Sequence, residues 1–120
     1  MKEYEIKNKD KPLANALKIK YCQSFFCQLI GLMFTSTVKM EKGLLLVQSS
    51  ETRIYSSIHM FFVLTDLAVI WINSNLLVVD KVLAKTWRPF YIPRTPALYV
   101  LEINGSRLGE FNIGDHLELI

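Results

Sequence analysis

The segment 58–72, IHMFFVLTDLAVIWI, limits the possible folds more than any other stretch of this chain. It is apolar at nearly every position, yet it carries His59 near one end and Asp66 in its middle. A run this apolar must lie in a core, so its two ionisable side chains either find partners there or form the floor of a site. It spans fifteen residues and contains a carboxylate, whereas a membrane-spanning helix needs about twenty apolar residues. A membrane span is therefore excluded. The segment divides best into two strands, Ile58 to Leu64 and Leu67 to Ile72, with a bend at Thr65-Asp66.

The rest of the chain is punctuated in the same way. Residues 1–15 read as a tail or edge segment, and residues 16–120 as a single domain. From Leu17 the pattern alternates, with Leu17, Ile19 and Tyr21 on one face and Lys18 and Lys20 on the other, as in a half-buried strand. Ser24 is placed to cap a short helix, Phe25 to Ile30, closed by Gly31 where a positive φ is cheap. Gly43 to Val47 reads as a buried strand and Gln48 to Ser57 as a polar loop. Asn73-Ser74-Asn75 is turn chemistry, and Leu76 to Ala84 returns as a hairpin partner. Pro89, Pro93 and Pro96 make the following stretch irregular or extended. Leu98 to Ile103 and His116 to Ile120 are further strands, with Leu108 to Gly114 as a linker. The expected fold is mostly β: a compact antiparallel barrel-like domain of about seven strands with one short helix, closed or half-closed to manage its edges.

Charge narrows the function classes. The net charge of +3 resides in the first twenty residues, where six lysines face three acidic residues; the remainder is balanced. A basic body able to track a phosphate backbone is missing, so no nucleic-acid partner is expected. No apolar signal segment follows the early lysines, which points to the cytoplasm. Cys22 and Cys27 then read as free thiols in a reducing compartment. Their C-x4-C spacing is wider than the usual zinc knuckle, so neither a metal nor another cofactor is expected.

Two constellations carry chemistry. His59 with Asp66 has the composition of an acid–base pair, although no serine or cysteine nucleophile accompanies it in any recognisable motif. The bland alternative is a core histidine bonded to a backbone carbonyl and an aspartate capping its own turn. Trp87-Arg88-Pro89-Phe90-Tyr91 combines a cation with aromatic faces and suits a planar or anionic ligand. Its bland alternative is a tryptophan covering the core while Arg88 pairs with Glu102 or Asp80. Phosphate-cradling glycine loops and His-Glu-x-x-His zinc patterns are absent from the sequence.

Five segments, in order, resemble one family. They are Gly31-Leu32-Met33-Phe34, Ser57-Ile58-His59-Met60-Phe61-Phe62, Trp87-Arg88, Val100-Leu101-Glu102 and Ile113-Gly114-Asp115. The family is domain of unknown function 192, a bacterial and archaeal group, and the resemblance covers roughly residues 16–120. It implies a compact, mostly β, barrel-like domain with a short helix near the GLMF segment, and it implies no reaction or cofactor. The chain departs from the family pattern in places. Gln28 and Thr35 stand where members often carry arginine, and Ala68 occupies the usual acidic position, two residues after Asp66.

The expected function is a small non-enzymatic binding or interaction domain for a small molecule or protein partner. Its candidate site residues are His59, Asp66, Trp87, Arg88 and Glu102. The alternatives are a hydrolase or isomerase using His59 and Asp66, and a structural accessory protein packing on a partner chain.

Overall fold

The computed structural model describes residues 2–24, 27–28, 31–33, 35–60, 62–88 and 90–120. Seven strands form one sheet: β1 (Glu3–Asn8), β2 (Leu17–Cys22), β3 (Lys42–Thr52), β4 (Leu67–Ile72), β5 (Val78–Ala84), β6 (Ala97–Asn104) and β7 (Leu117–Leu119). Their order is β5-β4-β6-β3-β2-β1-β7, and every neighbouring pair is antiparallel except β2 with β3. The sheet curls so that its two outermost strands approach each other. Leu77 and His116 form a bridge, Val78 N donates to Asp115 O at 2.9 Å, and Leu117 N donates to Leu76 O at 2.8 Å. The result is a half-closed barrel, as the alternating segments predict.

β4 explains why its sequence is apolar throughout. All six of its residues are buried, because both faces of the sheet are covered. Ala68, Ile70 and Ile72 enter a core inside the curl with Ile19, Leu45, Leu101, Ile103 and Phe111. Leu67, Val69 and Trp71 enter a second core on the outer face, with Leu44, Leu46, Ile58, Met60 and Val100. Trp71 satisfies its indole there by donating Nε1–H to Ser56 O at 2.7 Å.

Five expectations are corrected. Glu3–Asn8, within the expected tail or edge segment, is instead an interior strand, because β1 is hydrogen-bonded to β2 on one side and β7 on the other. β3 continues through Thr52, where a loop was expected, with an irregularity in its pairing between Val47 and Thr52. Ile58 to Leu64 is not a strand of the sheet. Among the described residues Ile58 pairs with Tyr91, Met60 exchanges backbone bonds with Trp87 and Arg88, and Phe62 turns the chain with a φ of 60°. Hydropathy marked this segment as buried without fixing its hydrogen-bond partner, and Phe62 and Leu64 are exposed where a core position was expected. A 3-10 helix, Gly105–Glu110, replaces the first part of the expected linker, capped by the Asn104 side chain accepting from Ser106 N.

The fifth correction concerns the cysteines. Cys22, at the end of β2, is disulfide-bonded to Cys27, with Cα atoms 5.8 Å apart. The argument for a reducing compartment that leaned on free thiols falls with it. Ser24 does act as a cap, its Oγ accepting from Cys27 N at 3.1 Å. Cys27 and Gln28 are helical, and Gly31 follows with a φ of 49°. Phe25, Phe26, Leu29 and Ile30, the rest of the expected helix, lie outside the described residues, as do Phe34, Phe61 and Pro89.

Candidate functional site

β6 alternates like its neighbours, and that alternation places one charged residue on an apolar face. Leu101 and Ile103 belong to the core inside the curl, and Val100 to the outer core. Glu102 shares the face of Val100 and stands between Leu44 of β3 and Val69 of β4, directly opposite both. It is 5% exposed. No hydrogen bond or ion pair reaches its carboxyl group among the described residues. Burial pushes its pKa up to about 7.

Glu102 forms one wall of a cavity of about 60 Å³. Gln28 and Gly31 of the β2–β3 connection, Gln48 of β3, and Tyr55, Ser57 and His59 of the β3–β4 connection contribute further walls. Tyr55 is largely exposed and so stands where the cavity meets solvent. Gln28 is held by its Nε2, which donates to Val47 O at 2.7 Å, leaving its side-chain oxygen unused among the described residues. Ser57 Oγ donates to Ile54 O at 2.6 Å and keeps its lone pairs for an incoming donor. A water needs roughly 10–15 Å³ of such space, so the cavity admits a few heavy atoms and not a nucleotide or flavin.

Of the expected site residues, the fold brings His59 and Glu102 to this cavity and directs the others elsewhere. Asp66 accepts from Thr86 N at 3.0 Å and pairs with Lys85 Nζ at 3.2 Å. The Thr86 amide first and Lys85 with it hold the Asp66 carboxyl below its ordinary range. Trp87, half exposed, packs edge-on against Phe62 with ring centres 4.9 Å apart. Arg88 lies 5.3 Å from the centre of the Tyr91 ring and makes neither of the carboxylate pairs considered for it. Asp80 is taken by Arg94, whose Nη2 lies 2.9 Å from Oδ1 and whose backbone N donates to Oδ2 at 2.8 Å. Burial raises the Asp80 pKa, and the bonds from Arg94 and Lys81 outweigh it, so the net shift is downward. Among the described residues, no group of three His, Cys, Asp or Glu side chains is placed to hold a metal ion.

Sequence reasoning did not single out Gln28, Gln48 or Ser57 as site residues. Gln28 carried a signal as a departure from the family pattern, and Ser57 as the first residue of the second segment that resembles the family.

Comparison with known proteins agrees with this architecture. The chain is 37% identical over 113 residues to a UPF0127 protein of Thermococcus sibiricus, covering 92% of this chain and 71% of that one. It is 39% identical over 97 residues to a UPF0127 protein of Pyrococcus horikoshii, covering 81% of each. A crystal structure of a protein of unknown function from Novosphingobium aromaticivorans shares the fold, with a TM-score of 0.82 at 21% identity over 97% of this chain and 83% of that one. The family model DUF192, described as uncharacterized ACR, matches residues 5–119, and the chain belongs to that family.

Proposed function

We propose that this chain is a small non-enzymatic binding domain whose ligand seat is the cavity between Glu102 and His59. The observation that carries the reading is Glu102 itself: a buried carboxyl group, facing a cavity, with no partner among the described residues. Such a group costs stability unless something else rewards it. Partly satisfied polar groups at a solvent-reachable cavity are the usual signature of a binding site. The acid–base alternative through His59 and Asp66 has less support, since Asp66 is engaged by Thr86 and Lys85 outside this cavity.

A thermal-shift screen against a metabolite pool tests the reading, run on the native chain and on Gln48→Trp, whose ring would occupy the cavity. A compound that raises Tm for the native chain and not for the variant supports it. A pool that shifts neither, or both equally, sinks it.

A second reading, packing against a partner chain, draws support from the exposed Phe62–Trp87 pair. Both residues hold left-handed backbone angles, with φ of 60° and 64°, a strain usually kept where it serves a surface function. Light scattering that finds only monomer at high concentration counts against self-association through this face.

A further inference from the structure

Resting on the cavity as a ligand seat, we infer that the group it takes is a small primary ammonium, seated against the Glu102 carboxylate. The walls decide the sign of the ligand. Among the described residues they contain one carboxyl group, the polar side chains of Gln28, Gln48, Ser57, Tyr55 and His59, and no lysine or arginine. An anion would meet the Glu102 carboxylate, and among the described walls no lysine or arginine offsets it. Above about pH 7 a neutral group would leave an ionised carboxylate uncompensated in an apolar face built from Leu44, Val69 and Val100. An ammonium supplies the missing charge and three N–H donors. Glu102 accepts one donor, and the Gln28 oxygen and Ser57 Oγ are uncommitted acceptors on the same wall set. The volume of about 60 Å³ suits an alkylammonium head, with the remainder of a larger ligand outside the cavity.

Binding is coupled to a proton. In the empty cavity Glu102 is protonated below about pH 7, so a cation seated there displaces that proton to solvent. The other titratable groups facing the cavity are His59 and Tyr55. β3 and β4 present Leu44 and Val69 beside Glu102, and the covering segment presents Gln28 and Gly31, none of which titrates. An alkylammonium stays charged throughout this range. With half-ionisation near pH 7, affinity at pH 6 is expected to be about tenfold weaker than at pH 8.

The test is an NMR titration of the isotope-labelled chain with methylammonium chloride at pH 8 and pH 6. Methanol and sodium formate serve as neutral and anionic probes of like size, and sodium chloride as the salt control. Methylammonium is expected to move the backbone amide signals of Gly31, Ser57, His59 and Glu102 saturably, with the tenfold loss at pH 6 and no binding by Glu102→Gln. A further arm with Nα-acetyl-lysine amide tells a peptide-borne ammonium, which binds tighter than methylammonium, from a free amine, which does not. If methanol or formate saturates these signals and methylammonium does not, or if Glu102→Gln binds methylammonium normally, the ammonium assignment is overturned while the cavity remains a site. If no probe moves them, the cavity reading falls as well.

Discussion

Gly31 and Glu102 meet across the candidate site: a Cβ added at Gly31 would lie 3.6 Å from Glu102 Oε1, at ordinary contact distance. Space therefore does not require glycine there. The backbone does, because Gly31 holds a φ of 49°, in the left-handed region. Gly31→Ala is expected to lose about 1–2 kcal/mol of stability by strain alone. Urea denaturation measures it, and an unchanged midpoint would show that the covering segment tolerates the side chain.

Glu102 makes stability fall as pH rises. Its folded pKa of about 7 lies above the ordinary 4.5, so the native state holds more protons than the unfolded chain between those values. Stability is greatest with respect to this group below pH 4.5, declines through pH 7 and is level above it, a loss on the order of 3 kcal/mol. Glu102→Gln removes that slope and raises Tm at pH 8 more than at pH 5. Calorimetry showing the same slope in both proteins would contradict the assignment to Glu102.

The Cys22–Cys27 bond fastens the segment that covers the cavity. Gly31 N donates to Cys27 O at 2.7 Å and Gln28 N to Ser24 O at 3.1 Å, so the turn and the disulfide share residues. Opening a loop with a sequence separation of 5 is expected to cost about 2 kcal/mol in chain entropy. Reduction, or the pair Cys22→Ala and Cys27→Ala, is expected to speed hydrogen exchange at Gln28 and Gly31 before the sheet amides respond. Uniform acceleration across the chain would refute a local role.

Arg107 is the most consequential charge outside the site. It is 1% exposed, pairs with Glu110 through Nε and Nη2 at 2.7 and 3.0 Å, and donates to Met40 O and Asn15 O. It ties the β6–β7 helix to the β1–β2 and β2–β3 connections. Arg107→Ala is expected to cost roughly 2–3 kcal/mol, because the Glu110 carboxylate and the Met40 and Asn15 carbonyls, all partly exposed, lose a buried charged donor. A loss below about 1 kcal/mol in denaturant melts would mean that water replaces the guanidinium.

Much of the sheet was legible in the chain. The alternation of Leu17, Lys18, Ile19 and Lys20 and the turn at Asn73-Ser74-Asn75 define a strand face and a hairpin, since side-chain period and turn chemistry are local properties. The candidate site was legible only in part. His59 and Glu102 were named, but so were Asp66, Trp87 and Arg88, which the fold sends to other partners.

By itself the sequence determined that Leu67 to Ile72 must be buried, that the chain is mostly β, and that Glu102 sits in an apolar strand. The tertiary structure alone decided that Ile58 and Met60 bond to Trp87, Arg88 and Tyr91 and not to a strand of the sheet, and that Cys22 reaches Cys27. It also decided that Arg94 claims Asp80 while Arg88 rests on Tyr91, leaving Glu102 without a cation among the described residues. The physical reason is that hydropathy and spacing record how much a residue wants to leave water, whereas the choice among competing partners depends on which distant backbone segments the curled sheet brings within hydrogen-bonding reach.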